Sequence, residues 1–276
     1  MRAGFLALGA LIGWAEIAMA QPARVVSMNL CTDQLAMLLA APDQLYSVSY
    51  LARDPRASAM TQEAERYVVN HGLAEEIYLM QPDLVIAGAY STRATVDMLR
   101  RLGVPVAVFD PSNSLSDVTA RITQMGQVLQ RQEAAARMVA DFDAGLAALA
   151  TNIDRAPRAV LYYANGYTSG DNTLAGQILL AAGFANAASE MGYMAGQKLP
   201  LEVLALSDPE IVISARPYPG ASRSEGILDH PVVQALRADL AGATMTDHDW
   251  VCGTPYVLRA IQGLATARKA LTGTEQ

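Results

Sequence analysis

Short apolar runs and amphipathic segments follow one another along the chain. The apolar runs predict strands over 24–28, 45–48, 84–87, 104–109, 159–163, 211–214 and 243–246. Between them, apolar positions three and four residues apart predict helices over 33–40, 73–80, 92–102, 115–130, 173–182, 201–206, 231–238 and 254–271. Strands that alternate with helices predict parallel sheets, so the expected fold class is α/β.

The longest predicted helix covers 131–153. Its apolar side chains recur at steps of four and three residues: Met138, Phe142, Leu146, Leu149 and Ile153. Alanine fills much of the rest, and Pro157 lies just past the end. A helix of this length spans about 33 Å, which suits a strut between two cores. The pattern alone would support a long packing helix inside one domain, so the flanking halves must decide.

Each half of the chain contains the same short series: a glutamate, then seven residues later a proline with an acidic residue, then a predicted strand. The two copies are Glu75 with Pro82-Asp83 and Glu202 with Pro209-Glu210. One such series is common, but two that flank a long helix support a pseudo-symmetric pair of lobes. We therefore predict an N-terminal lobe over 21–130, a linking helix over 131–154 and a C-terminal lobe over 155–276.

The first twenty residues have the pattern of a secretory signal peptide. Arg2 is followed by an apolar run over 4–17, and Ala18-Met19-Ala20 has the small-x-small form of a cleavage site. The alternative is a membrane anchor, but the run is shorter than the ~20 residues of a bilayer span. We expect removal of 1–20 near Ala20 and a soluble periplasmic protein.

Charge and motifs narrow the class of function. The net charge of -7 argues against nucleic acid or an anionic membrane as the main partner. The sequence has no G-x-S-x-G elbow, no Walker loop and no G-x-G-x-x-G after a strand, so we do not expect an enzyme. The three histidines, His71, His230 and His248, are far apart and show no metal-ligand spacing. No cofactor is expected.

Ligands of parallel α/β sheets bind at the loops that follow the strands. In the predicted loops of both halves, candidate ligand contacts are aromatic, cationic or small: Asn29, Cys31, Tyr90, Arg93, Tyr167, Arg216, Tyr218 and Trp250. Such a set suits a large ligand that is planar or partly anionic. Ordinary loop composition, with the aromatic side chains packed locally, is the alternative.

Several segments, in this order and spacing, carry a resemblance to a known family. They are Arg24-Val25-Val26-Ser27, the run over 81–86, Leu102-Gly103, Tyr167-Thr168-Ser169-Gly170, Ala182-Gly183 and the run over 202–213. The chain resembles the periplasmic substrate-binding proteins of ABC importers for ferric siderophores, haem or cobalamin. In outline it is most similar to the cobalamin-binding members.

The resemblance implies two Rossmann-like lobes, joined by one rigid helix, with the ligand in the cleft between them. It implies a monomer that delivers a metal chelate, a ferric siderophore or a corrinoid, to an inner-membrane permease. In this family one surface glutamate on each lobe meets arginines of the permease, and the matching positions here are Glu75 and Glu202. Alternatives are a receptor for haem, a receptor for a free metal ion, or an extracytoplasmic enzyme on the same scaffold.

The two cysteines depart from the cobalamin-binding pattern, because the resemblance places Cys31 and Cys252 on opposite sides of the expected cleft. Three interpretations stay open. A disulfide would join the lobes and needs Cα atoms within about 7 Å. Two thiolates, with His248, would ligate a soft metal ion. Two separate buried thiols would be inert. We rank the disulfide and the inert thiols above metal ligation.

Overall fold

The computed structural model describes residues 21–150, 155–215, 222–239, 243–245 and 247–273. Within these ranges the chain forms two parallel sheets, one before and one after a long helix. No helix in the described ranges combines the length and the apolar character that a bilayer span requires.

The N-terminal lobe contains one parallel sheet with helices on both faces. Its elements are β1 Val25–Ser27, α1 Leu30–Leu39, β2 Leu45–Ser49, α2 Thr61–Ala64, β3 Val68–Asn70, α3 Ala74–Leu79, β4 Leu84–Gly88, α4 Arg93–Arg101, β5 Val106–Phe109 and α5 Leu115–Val128. The strand order is β3-β2-β1-β4-β5, and every pair is parallel. Because the chain winds outward in both directions from β1, a crevice forms beside the carboxyl end of that strand.

The C-terminal lobe has a smaller parallel sheet and a separate two-stranded antiparallel sheet. Its elements, with the linking helix first, are α6 Gln132–Leu149, β6 Arg158–Leu161, β7 Tyr167–Ser169, α7 Leu174–Ala181, β8 Ala185–Asn186, α8 Ala187–Glu190, β9 Gly196–Lys198, α9 Leu201–Leu206, β10 Ile211–Ala215, α10 Pro231–Asp239, β11 Ala243–Met245, α11 Asp247–Trp250 and α12 Val257–Thr272. The strand order is β11-β10-β6-β8, and β7 pairs with β9.

The linking helix α6 is shorter than the sequence pattern predicts. It ends at Leu149, where Ala150 takes an extended conformation, and residues 151–154 lie outside the described ranges. The predicted apolar stripe does face the core: Phe142 is buried, and Met138 is partly buried against the same cluster. The helix packs on α5 of one lobe and α12 of the other. At the α5 contact Gly126 lies against Ala135, where any side chain would collide with it.

One hydrophobic core runs through both lobes. It consists of side chains from one face of each parallel sheet and from α1, α5, α6, α7 and α12. Two smaller clusters cover the opposite faces, one under α3 and α4 and the other under α9 and α10. Separating the lobes would expose apolar surface of the shared core, which costs about 25 cal/mol per Å². The lobes are therefore held in one arrangement, with α3 and α9 on the outer faces.

Candidate functional site

A pocket lies where the carboxyl ends of β1, β4 and β5 meet, at the crevice of the N-terminal lobe. Its volume is about 90 Å³. The lining residues from this lobe include polar side chains of both kinds, donors and acceptors: Asn29, Thr32, Tyr90, Asp110, Ser112 and Arg121. Val251 and Gly253, which follow α11, close the pocket from the other lobe's side. The site is therefore built from both halves of the chain.

Asn29 lines this pocket and is held in place by its neighbours. It is the N-cap of α1, and its side-chain oxygen accepts hydrogen bonds from the backbone N–H groups of Cys31 and Thr32, at 3.0 and 3.4 Å. A cap of this kind satisfies amides that a helix leaves unpaired at its first turn. The Asn29 amide also lies on Gly88, where an added Cβ would come within 2.9 Å of it. Gly88 thus allows the side chain to sit across the ends of β1 and β4.

Asp33, one turn along α1, is completely buried behind the pocket wall. Its Oδ2 accepts hydrogen bonds from the backbone N–H and the hydroxyl of Ser49. Burial raises the pKa of Asp33 to about 7, although these hydrogen bonds favour the ionised form. The carboxyl therefore titrates near neutral pH and links the start of α1 to the end of β2.

Cys31 and Cys252 form a disulfide, with their Cα atoms 4.9 Å apart. Of the three interpretations of the cysteines, the disulfide is the one found. The bond joins the first turn of α1 to the segment after α11, 221 residues away in sequence. It consumes both thiols, so the suggestion that Cys31 and Cys252 ligate a metal as thiolates is wrong for this oxidised state. His248 contacts Asp249 within α11, at 3.4 Å between Nε2 and Oδ2.

The C-terminal lobe presents aromatic side chains at the carboxyl ends of its strands. The Tyr163 ring, just past β6, stacks on the Trp250 ring with centroids 5.8 Å apart. Burial, with a smaller contribution from the nearby Asp247 carboxylate, raises the pKa of Tyr163. The indole N–H of Trp250 and the hydroxyl of Ser214 are buried without a hydrogen-bond partner in the part of the chain that the structure describes.

The predicted ligand contacts are only partly brought together. Asn29, Cys31 and Tyr90 line the pocket, and Tyr90 is 86% exposed at its mouth. Tyr167 begins β7 and is half-exposed, and Trp250 is held in the stack on Tyr163. Arg93 is the exposed first residue of α4 and does not line the pocket. Arg216 and Tyr218 lie outside the described residues.

Among the pocket residues that sequence reasoning missed are both charged ones. Asp110 directly follows β5, a strand that the sequence pattern predicts, so the same rule of strand ends would have found it. Arg121 is in the middle of α5 and carries no such signal.

Outside the cleft, the two lobes share a duplicated helix–proline–strand unit. In the N-terminal lobe it is α3, the turn at Pro82 and β4; in the C-terminal lobe it is α9, the turn at Pro209 and β10. Each helix has six residues. The residue before each proline has positive φ, 51° at Gln81 and 43° at Asp208, although neither is glycine. The predicted repeat is therefore present down to the backbone conformation.

An arginine and a carboxylate fasten each unit to the first strand of its lobe. In the N-terminal lobe, the Asp83 carboxylate accepts a hydrogen bond from the backbone N–H of Arg24 at 3.0 Å, and the Arg24 side chain donates to the Met80 carbonyl. In the C-terminal lobe, Glu210 accepts from the backbone N–H of Arg158 at 3.0 Å, and the Arg158 side chain donates to the Asp208 carbonyl.

The strand register extends the match. Val25 pairs with Leu84 in one lobe, and Ala159 pairs with Ile211 in the other. In each pair, one residue directly follows the arginine and the other directly follows the carboxylate. Glu75 and Glu202 thus occupy equivalent positions. Both are exposed, and neither forms an ion pair within the described ranges.

Comparison with known proteins gives the family. The chain belongs to the periplasmic binding protein family, whose sequence model matches residues 25–241. A curated relative, the "Cobalamin-binding protein" of Halobacterium salinarum, is 29% identical over 204 residues, which are 70% of this chain and 54% of the relative. The chain thus spans about half the length of that relative.

Solved structures share the fold. The "Periplasmic heme-binding protein RhuT from Roseiflexus sp. RS-1 in apo form" has a TM-score of 0.72 at 22% identity and covers 88% of this chain and 98% of its own. The "periplasmic Heme binding protein HutB of Vibrio cholerae" has a TM-score of 0.74 at 19% identity, covering 88% and 97%. The "periplasmic Vitamin B12 binding protein BtuF of Vibrio cholerae" has a TM-score of 0.66 at 19% identity, covering 91% and 98%. The predicted α/β fold and the resemblance are confirmed.

Proposed function

We propose that the protein is a periplasmic solute-binding protein that delivers a metal chelate to an inner-membrane ABC importer. The observation that carries the proposal is the pocket at the carboxyl ends of β1, β4 and β5, closed by the segment that the disulfide holds. Binding is reversible and involves no covalent chemistry. The protein acts as a monomer after removal of 1–20, with its lobes over 21–130 and 155–276.

The size of the pocket limits how such a ligand binds. Sites for molecules of drug size usually enclose 300–1,000 Å³, whereas this pocket has about 90 Å³. A chelate therefore places one substituent in the pocket and lays its ring system in the open cleft above it. Tyr90 at the mouth of the pocket, together with Tyr167 and Trp250, supplies aromatic surface for that ring system.

The polar lining favours a corrinoid over the other chelates. Asn29 and Arg121 bring donors, whereas Asp110 brings an acceptor. A neutral amide can donate to Asp110 and accept from Asn29 or Arg121, whereas a carboxylate only accepts and would leave Asp110 without a donor. Corrinoids carry amide substituents around the ring, and many ferric siderophores and haem carry anionic groups. The curated relative at 29% identity, described as cobalamin-binding, supports the same order of preference.

Haem is the second candidate, and Tyr90 is the observation that favours it. Its phenol is among the most exposed aromatic groups of the described residues and stands at the pocket mouth. A tyrosine oxygen is one of the side-chain ligands that hold haem iron. In that arrangement the ring would again lie in the cleft, with Tyr90 below the iron.

Isothermal titration calorimetry of residues 21–276 with cyanocobalamin, haem and a ferric hydroxamate tests the proposal. We expect cyanocobalamin to bind with a Kd in the micromolar range or tighter. Replacement of Arg121 or Asn29 by alanine should weaken it about tenfold, the effect of losing one well-made polar contact. Arg93→Ala is the matched control, because Arg93 is exposed outside the pocket. Absence of binding by all three ligands would remove the proposal.

We also propose that Glu75 and Glu202 dock the protein on its permease. Their equivalent positions on the two lobes suit a partner with a two-fold axis, which presents the same surface twice. Each carboxylate is exposed and lacks an ion-pair partner in the described part of the chain, so it can accept a cationic side chain. The permease would supply that cation at both contacts.

A further inference from the structure

Leu79 and Leu206 are the two most exposed leucines of the described residues, at 80% and 77%. Among the large apolar side chains in these ranges, only Tyr90 in the cleft is more exposed. One leucine on a surface needs no explanation, because much of any protein surface is apolar. These two, however, stand at the same position of the duplicated unit: each is the last residue of its six-residue helix.

Each leucine lies beside the glutamate of its own helix. Leu79 follows Glu75 by four residues, and Leu206 follows Glu202 by four. Side chains four residues apart on a helix share one face, with Cβ atoms about 5–6 Å apart. Helical side chains also lean toward the helix N-terminus, so each leucine leans toward its glutamate. The unit thus presents a carboxylate and an isobutyl group side by side.

Both helices are anchored by the same buried position. Ile77 in α3 and Leu204 in α9 are fully buried, each in the cluster on the outer face of its sheet. With these residues turned inward and the helices fastened by the arginine–carboxylate contacts described above, the outward faces are fixed. The exposed leucines are not required for this packing, because they contribute to none of the buried clusters.

We propose that Leu79 and Leu206 are part of the docking surface, and that each enters an apolar hollow of the permease next to the cation that meets the glutamate. The inference rests on the proposed function. Its physical reason is the weakness of exposed ion pairs, which water screens almost completely. An apolar side chain that seals the contact removes that water and strengthens the attraction. The duplicated leucine therefore turns two weak charge contacts into two specific ones.

The test measures binding to the host organism's ABC permease for the chelate that the calorimetric titration identifies, held in lipid nanodiscs, by biolayer interferometry. Leu79→Ser and Leu206→Ser should each weaken binding about tenfold, and the double variant about a hundredfold, as expected for two separate apolar contacts. Glu75→Arg with Glu202→Arg should abolish binding. The matched controls are Leu180→Ser on α7, where the leucine is 41% exposed, and Glu133→Arg on α6, where the glutamate is exposed. Both controls should bind as the unmodified protein does.

Several results would overturn the inference, and they are distinguishable from failure of the proposed function. If the double serine variant binds like the unmodified protein while the double arginine variant does not, the leucines have no part in docking. If the unmodified protein binds a chelate in the calorimetric titration but fails to bind the permease for that chelate, both docking proposals fall while the proposal of chelate binding stands. If light scattering finds a dimer that the double serine variant converts to a monomer, the partner of the leucines is a second copy of this chain.

Discussion

The helix–proline–strand unit of the N-terminal lobe has a counterpart in the C-terminal lobe, whereas the loops at the carboxyl ends of the two sheets differ. The units share helix length, turn conformation, strand register and an arginine–carboxylate contact. At the carboxyl ends, one lobe has a polar pocket and the other a stack of Tyr163 on Trp250. A surface kept alike in both lobes suits a symmetric partner, and unlike walls suit a ligand with two different faces.

The shared core explains how one molecule can have two similar outer units and two different cleft walls. It runs from one sheet to the other through α5, α6 and α12, and the backbone N–H of Leu115 in one lobe donates to the side-chain oxygen of Gln177 in the other at 2.9 Å. The lobes thus hold the outer units at a fixed separation. At the same time the core holds the two cleft walls opposite each other, so we expect ligand binding to move the lobes little.

The largest expected effect concerns the disulfide, which lies among the loops at the carboxyl ends of the sheets, where the two lobes differ. Replacing Cys31 and Cys252 together by alanine should lower the free energy of unfolding by about 2–5 kcal/mol, because the unfolded chain regains the freedom that the cross-link removes. Denaturant unfolding of the oxidised protein and of the double variant measures this difference. Equal midpoints for the two proteins would contradict a stabilising role for the bond.

The next effect concerns Asp33, the buried carboxylate that links α1 to the end of β2 in the N-terminal lobe. Its pKa is about 7 in the folded protein, against an ordinary value of 3.8. Between these values the folded state keeps the proton and the unfolded state releases it, so the stability falls as the pH rises through this window and levels off above it. The decrease due to Asp33 is at most about 4 kcal/mol.

The Asp33→Asn variant isolates that contribution, since its amide oxygen can still accept from Ser49 but cannot ionise. The free energy of unfolding of the variant, minus that of the unmodified protein, should be larger at pH 8 than at pH 5. Urea unfolding at both pH values measures it. Asp97→Asn, at an exposed site on α4, serves as the control. A difference that does not change with pH would show that Asp33 titrates normally.

The smallest effect tests the likeness of the duplicated units directly. Asp83→Ala and Glu210→Ala each remove a carboxylate that accepts backbone hydrogen bonds from the first strand of the lobe. Each substitution should lower the free energy of unfolding by about 1 kcal/mol. This value is low for a hydrogen bond to a charged group, because both sites are partly exposed to water. Thermal unfolding of the two variants compares them. If only one of the two variants is clearly less stable, the two units share their backbone shape but not the stabilising role of the carboxylate.

Much of this fold could be predicted from local sequence pattern. The repeated proline–acid turns and the long helix between them predict two α/β lobes, which the shared folds confirm. The strand β3 escapes prediction because Val68 is exposed and the run is three residues long. The antiparallel pair of β7 and β9 is missed because its short strands carry polar residues such as Lys198 and lack an apolar pattern.

The site could be predicted from the sequence less well than the fold, because it depends on contacts between distant segments. Strand ends point to Asn29 and Tyr90, which do line the pocket, although their contact with a ligand stays a prediction. Arg93 follows the same strand as Tyr90 but opens the next helix, outside the pocket. Arg121 reaches the site from mid-helix. The pairing of cysteines 221 residues apart cannot be deduced from their spacing, because only the fold brings their Cα atoms to 4.9 Å.

Hydrogen–deuterium exchange with mass spectrometry tests the central claim, that the unlike carboxyl ends bind the ligand and the like outer units bind the permease. Cyanocobalamin should slow amide exchange in the loops that follow β1, β4, β5, β6 and β11 and leave α3 and α9 unchanged. The permease in nanodiscs should slow exchange in α3 and α9 by similar amounts. Protection of α3 or α9 by the ligand in place of the loops, or protection of only one of the two helices by the permease, would contradict the account.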